Sequence, residues 1–231
     1  GYICSVAHDG TNLYAGTNIS GLYSSADNGA NWSLNYYTSF YFRMNALLVD
    51  GGNLFAATNN GIILSTDNGG SWTSVNNGLT YLTVYAMAIS GTNLFAGTPG
   101  GGVFLSTNNG ANWIQTTLNN RWIWTFAVSG TNIFAGSYDG GVYLSTNNGT
   151  SWNEYLVFDG YVWDQSQYVQ FFKFTIDSEL IEGTNSKLLY ITYPSYFITA
   201  QGLAPINGLA ILNLNTNQLN VSDFSWPGMY Y

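Results

Sequence analysis

The segment STNNGANW at residues 106–113 decides the fold, because it recurs three more times in nearly the same words. SADNGANW occupies 25–32, STDNGGSW 65–72 and STNNGTSW 145–152. Their tryptophans, Trp32, Trp72, Trp113 and Trp152, return at intervals of roughly forty residues, a period typical of stacked repeats. A second landmark runs ahead of each: GTNLYAGT (10–17), GGNLFAAT (51–58), GTNLFAGT (91–98) and GTNIFAGS (130–137). Two landmarks that keep one offset make the repeat a matter of order, not of composition.

Helical repeats share this period, so the local pattern has to separate helix from strand. The third unit reads AMAIS, GTN, LFAGT, PGG, GVFLST, NNGAN, WIQTTL: short apolar stretches broken by tight turns, which predicts four strands. Gly and Asn supply the positive-φ positions such turns need. No stretch shows a capped apolar period of 3.6. Four-stranded units of this length predict the blades of an all-β propeller. Residues 161–231 have no fifth copy of the turn, yet FFKFTIDS (171–178), LLYITYPS (188–195), GLAILNLN (208–215) and LNVSDFSW (219–226) read as four strands, with a long loop over 196–207. The expected arrangement is one propeller domain over 1–231. Its blades are placed at about 1–40, 41–80, 81–120, 121–160 and 161–231, the last degenerate and enlarged. Two alternatives stay open: a larger propeller of which this chain is a part, or two short terminal blades that make six.

The recurring turn is Ser-x-Asp/Asn-x-Gly-x-x-Trp, placed between the third and fourth strands. Asp27, Asp67, Asn108 and Asn147 offer a side-chain oxygen to backbone N–H groups of their own turn. The glycine is expected to be left-handed, and the tryptophan to bury its ring between neighbouring blades. These residues resemble the Asp-box, or BNR, repeat of sialidases, sortilin-type receptors and xyloglucan-degrading glycosidases. The wording is similar to that of repeat regions in secreted bacterial proteins. The resemblance spans about residues 1–155 and implies a propeller with the box at the blade periphery. It implies no activity, because the same turn serves unrelated functions.

Composition narrows the function. Only 7% of residues are charged, against about 25% in a usual soluble protein, while 46% are apolar. The net charge is −8, and the cations are Arg43, Arg121, Lys173 and Lys187. So few scattered cations do not bind nucleic acid, which takes clustered Lys and Arg against the phosphates. Membrane insertion is not expected either, since no long apolar run occurs. Cys4 is the one cysteine, so no internal disulfide forms, and its expected role is a small buried apolar residue. The expected location is extracellular or the cell surface.

The family likeness first suggests a sialidase, whose site takes three arginines; this chain has only Arg43 and Arg121, which excludes it. His8 is the one histidine and is expected at a strand end, so a histidine-dependent triad or metal centre is not expected. Each box brings at most one carboxylate, far short of a calcium ligand set. No cofactor and no metal are expected. Asp139, in the loop between the second and third strands of the fourth unit, and Asp159 and Asp164, in the connection that follows, are the candidate acids for glycoside hydrolysis.

Aromatic residues give the stronger signal. The connections between units read NYYTSFYFRMN (35–45), NNGLTYLTVY (76–85), NNRWIWTF (119–126) and DGYVWDQSQY (159–168). Around one end of a propeller they would gather flat apolar faces with polar tips, the surface that interfaces and sugars use. Candidate binding residues are Tyr41, Arg43, Tyr81, Arg121, Trp122, Tyr161 and Trp163, with Tyr36 and Tyr37 in the same ring. Tyr85 and Trp124 align at a strand start and are expected to pack inward. The favoured reading is a non-enzymatic interaction or scaffold module whose partner is a glycan or protein, or a copy of itself in a surface assembly or filament. A polysaccharide hydrolase is the alternative.

Overall fold

Turn residues at regular intervals force the chain to reverse every few residues, and it does so into antiparallel sheets. The computed structural model describes residues 1–37, 42–138, 141–157, 173–177, 188–199, 202–213 and 218–223. The described strands form five four-stranded sheets, each built from strands consecutive in the chain. The first holds β1 (Ile3–His8), β2 (Leu13–Thr17), β3 (Leu22–Ser25) and β4 (Ser33–Tyr36). The second holds β5 (Met44–Asp50), β6 (Asn53–Thr58), β7 (Gly61–Ser65) and β8 (Thr73–Ser74). The third holds β9 (Ala86–Ser90), β10 (Asn93–Thr98), β11 (Gly102–Ser106) and β12 (Ile114–Gln115). The fourth holds β13 (Ile123–Ser129), β14 (Asn132–Ser137), β15 (Gly141–Ser145) and β16 (Asn153–Val157). The fifth holds β17 (Lys173–Asp177), β18 (Leu188–Thr199), β19 (Gly202–Asn213) and β20 (Gln218–Asp223). The first strands pack side by side in series, β1 on β5, β5 on β9, β9 on β13 and β13 on β17. This is the arrangement of propeller blades, with the first strand innermost.

The fifth sheet departs from expectation at its hairpin. Residues 196–207 do not form a long loop: β18 and β19 pair without interruption from Leu188↔Asn213 to Thr199↔Gly202. Pro194 and Pro205 both lie where the ladder is only two strands wide. β17 pairs β18 no further than Thr192, and β20 pairs β19 only from Gly208 onward. A proline there has an open strand edge on one side, where a missing N–H is tolerated.

The core lies between sheets. Leu54, Ala56 and Ile63 of the second sheet meet Tyr14 and Leu22 of the first. Leu94, Ala96 and Phe104 of the third meet Phe55 and Ile62 of the second. Ile133, Ala135 and Tyr143 of the fourth meet Phe95 and Val103 of the third. Alternation along a strand sends successive residues to opposite faces, so each second strand feeds two interfaces at once. Each large side chain buried there contributes roughly 1.5–3 kcal/mol.

The box turns fix the outer hairpins. In the first, Ser25 Oγ donates to Asp27 Oδ1 (2.7 Å) and accepts from Gly29 N–H (2.9 Å), while Asn31 N–H donates to Asp27 Oδ1 (2.8 Å). The same three bonds recur around Asp67 at 2.7, 2.8 and 2.8 Å. They recur around Asn108 at 3.0, 2.9 and 2.9 Å, and around Asn147 at 3.0, 2.8 and 2.9 Å. Carboxylate and amide therefore do one job. The glycines are left-handed as expected, and so are the preceding Asn28, Asn68, Asn109 and Asn148, at φ of 54–57°. That explains Asn before every box glycine, since Asn tolerates this conformation better than other side chains.

The tryptophans are less uniform than the motif suggests. Trp72 lies against Tyr36 of the preceding sheet (ring centroids 5.8 Å apart), and Trp152 against Phe95 (6.4 Å). Trp113 donates its Nε1–H to Val75 O of the preceding sheet at 2.8 Å and is only 3% exposed. Trp32, expected to be buried like the others, is 41% exposed and donates only within its own turn, to Gly29 O at 3.1 Å. A box tryptophan is buried by the sheet before it, and among the described residues no sheet is set against that side of the first. Cys4 likewise differs from expectation: it is half-buried rather than buried. His8 ends β1, exposed, as expected.

Two predictions follow from the turns. Trp113→Ala lowers unfolding free energy by about 3–5 kcal/mol and Trp32→Ala by about 1 kcal/mol or less, read from denaturant titrations; equal losses would contradict the packing described. The second concerns acid. Hydrogen bonds from Asn31 and Ser25 hold the Asp27 carboxyl at about 2, and those from Ser71 and Ser65 hold Asp67 at about 2. The bonds from Thr11, Asn12 and Tyr14 hold Asp9 well below the usual carboxylate range. A depressed carboxylate stabilises fully above its unfolded value of 3.8, and that contribution fades as pH falls through about 2. Asp67→Asn keeps the turn as Asn108 does, so it leaves the neutral-pH melting temperature unchanged and makes the acid loss shallower. An acid profile identical to the wild type would rule out this origin.

Candidate functional site

Two loop types meet at one end of the sheets. The connection after β12 is tied to the hairpin between β10 and β11: Gly100 N–H and Gly102 N–H both donate to Arg121 O, at 3.1 and 2.9 Å. It is tied also to the next sheet, where Tyr138 N–H donates to Trp122 O at 2.8 Å. Asn120 is left-handed at φ 57°, the one such non-glycine outside the box turns among the described residues. This backbone kink precedes the two side chains of most interest, Arg121 and Trp122.

Aromatic rings collect around this kink. Trp122 is 50% exposed and Tyr81, from the preceding connection, is 41% exposed. Both stand against Gly100: a Cβ there would lie 3.6 Å from Trp122 Nε1 and 3.7 Å from Tyr81 Cε1. Gly101 lies beneath the Tyr81 ring, where a Cβ would come within 2.6 Å of Tyr81 Cγ. The run of glycines at 100–102 thus makes room for the rings. Tyr138 packs between Trp122 and Trp124, its ring centroid 5.9 Å from each. Trp124 in turn stacks on Tyr85 at 4.4 Å and 14°. Arg121 lies over the Tyr143 ring at 5.6 Å, which points its cation at an aromatic face and fixes its stem.

The register explains why Tyr85 and Trp124 stack. In β1, β5 and β13 the pairing skips one residue near the strand start, between Ile3 and Ser5, Met44 and Ala46, and Ile123 and Thr125. The skipped residues are Cys4, Asn45 and Trp124, and a bulge of this kind re-aims its side chain. Asn45 Nδ2 reaches Val84 O of the next sheet at 2.7 Å.

A shallow open depression of about 130 Å³ is lined by Asn120, Arg121, Trp122 and Tyr138. An enclosed small-molecule site usually runs to roughly 300–1,000 Å³. The surface therefore suits a ligand laid across it, not one swallowed whole.

The sequence-derived residues divide accordingly. Tyr81 and Trp122 meet around Gly100, Arg121 precedes Trp122 on the kink, and Tyr85 and Trp124 stack on each other, each partly buried. Arg43 is exposed and sits over the Tyr2 ring at 5.9 Å, in the first two sheets. Tyr36 does not join the ring, because it ends the outermost strand of its sheet and packs on Trp72. Tyr41, Tyr161, Trp163, Asp139, Asp159 and Asp164 lie outside the described residues. Tyr138 was missed by sequence reasoning. Its signal was its place in the hairpin between second and third strands, the loop type that already drew attention to Asp139.

No family model and no curated protein matches the sequence. Among solved structures, an ancestral GH74 enzyme superposes with a TM-score of 0.71 at 19% identity, over 96% of this chain and 31% of that one. The GH74 xyloglucanase from Xanthomonas campestris gives 0.66 at 14% identity, over 96% and 37%. The extracellular domain of a one component system protein from B. thetaiotaomicron gives 0.61 at 14% identity, over 99% and 36%. At these identities the likeness shows the fold. The chain spans about a third of the length of each of these proteins. Among the described residues no helix is long and apolar enough to cross a membrane.

The geometry separates rim from core. Trp122→Ala shifts unfolding free energy by no more than about 0.5 kcal/mol, while Trp124→Ala lowers it by about 2–3 kcal/mol. Thermal or denaturant unfolding of the two variants checks this, and the reverse order would contradict the placement of the rings.

Proposed function

We propose that this chain is a non-enzymatic extracellular propeller module that binds a glycan across Tyr81, Arg121, Trp122 and Tyr138. The observation that carries the reading is the pair of half-exposed rings, Trp122 and Tyr81, held around Gly100 by backbone bonds to Arg121. Two half-exposed rings stand around one glycine, and packing on Gly100, Gly101 and Tyr138 holds them in place, which lowers the entropy lost on binding. A sugar ring offers C–H faces to the rings and hydroxyls to Arg121 and the Asn120 amide. The shallow depression suits a chain passing over it, so the reading extends to an oligosaccharide or polysaccharide. The scarcity of charge fits a neutral ligand better than an anionic one.

A second reading draws support from a specific source. The solved structures with this fold include glycoside hydrolases, and Asp139 directly follows Tyr138 in the chain. On that reading Asp139 works with Asp159 or Asp164 as an acid–base pair.

One set of measurements separates the two. A glycan array followed by calorimetry is expected to find a polysaccharide ligand, with Trp122→Ala and Tyr81→Ala each weakening binding at least tenfold and no new reducing ends released. Binding unchanged in both variants would overturn the proposed site. Reducing ends released by the wild type and lost in Asp139→Asn would establish the hydrolase in its place.

A further inference from the structure

An Asn–Gly linkage is where asparagine most easily loses its side-chain amide, because glycine puts no side chain in the way of its own nitrogen. The glycine nitrogen gives up its proton and attacks the asparagine Cγ. The new C–N bond closes a five-membered imide, and the side-chain nitrogen leaves as ammonia. Water then opens the imide at either carbonyl, giving aspartate or isoaspartate with no change of oxidation state. The sequence contains seven such linkages. Asn207–Gly208 lies within β19. In five of the other six the glycine N–H is already engaged. Gly29, Gly69, Gly110 and Gly149 donate to the buried hydroxyls of the box serines, and Gly61 donates to Leu82 O. A nitrogen so held must give up its hydrogen bond before it can attack. The exception is Gly78. Among the described residues its N–H donates to no group, and both Asn77 and Gly78 are exposed.

We propose that Asn77 is a modification site, where the chain deamidates through a succinimide, and that the box serine shields the four box asparagines from the same reaction. The position matters to the stack. Asn77 O accepts the N–H of Trp113 at 2.8 Å, and the Asn77 amide donates to Asn112 Oδ1. These bonds tie the connection after the second sheet to the box turn of the third, beside the core that Trp113 helps to fill. Aspartate at this place sets a carboxylate with no hydrogen to donate against Asn112 Oδ1. Isoaspartate also runs the backbone through the former side chain, which adds a methylene and moves the carbonyl away from Trp113 N–H. Modification therefore loosens the second sheet from the third. The inference does not depend on the glycan reading.

Peptide mapping by mass spectrometry, after the folded protein is held at mildly alkaline pH, tests it linkage by linkage. Aspartate and isoaspartate are expected at Asn77 roughly tenfold faster than at Asn60 or any box asparagine. An unmodified Asn77, or a box asparagine that reacts as fast, overturns the proposal. Ser106→Ala, with its far-ultraviolet circular dichroism unchanged, is expected to speed the reaction at Asn109 and leave Asn28, Asn68 and Asn148 slow. Asn108→Ala is the control. It removes the bond from Asn112 N–H in the same turn but keeps the Ser106 hydroxyl on Gly110 N–H, so Asn109 is expected to stay slow. Equal rates at Asn109 in the two variants would overturn the shielding by serine. The held wild type is expected to lose melting temperature in step with isoaspartate at Asn77, while Asn77→Ser keeps its own starting value. A melting temperature that stays constant as isoaspartate accumulates overturns the assigned consequence.

Discussion

Burial of one sheet's face on the opposite face of its predecessor is the interaction on which the rest depends. A four-stranded sheet of about forty residues is too small to bury its apolar residues within itself, so it folds only as one of a stack. In this chain Leu54, Leu94 and Ile133 are buried from one side by the sheet before them, while Phe55 and Phe95 reach the sheet that follows. The second strand of each of the first four units is consequently buried at every position from its second residue on, a run that a single-faced sheet would not tolerate, and its closing Thr or Ser donates its hydroxyl within the hairpin. The turns serve this stacking. Gly69 and Gly149 are places where a Cβ would collide with Leu22 or Phe95 of the preceding sheet, so glycine is required there by packing as well as by its positive φ.

Function, on this account, uses what the stack leaves uncovered. Inner-strand bulges re-aim Trp124 and Asn45 toward the neighbouring sheet, and the rings above them cannot sink into the core. Tyr138 fills the gap between Trp122 and Trp124, which leaves Trp122 and Tyr81 with one face supported and the other in water. The same logic accounts for the exposure of Ile3, Val6 and Trp32, since no described sheet is set against that face of the first. The aromatic rim and these exposed residues are two consequences of one construction.

Much of this was legible in the sequence because the repeats are redundant. Four copies of the box fix the period, the hairpin and the left-handed glycine, and each copy checks the others. The role of Asn108 and Asn147 in place of Asp27 and Asp67 could be read from hydrogen-bond capacity alone. What could not be read was context. Trp32 and Trp113 sit in nearly the same words yet differ in burial, since burial depends on the preceding sheet and not on the motif. Tyr138 was missed for a similar reason: it joins the aromatic cluster through space, from a hairpin other than the connections that looked richest. In the fifth sheet residues 196–207 read as a long loop, and only the observed pairing of β18 with β19 shows otherwise.

Amide hydrogen exchange tests the stacking account most directly. Amides of β6, β10 and β14, buried along their length, are predicted to exchange only through global unfolding, while those of β1, exposed at Ile3 and Val6, exchange faster through local opening. If β1 proves as slow as β10, burial of one sheet's face on the next does not set the order of opening, and the stacking account is wrong.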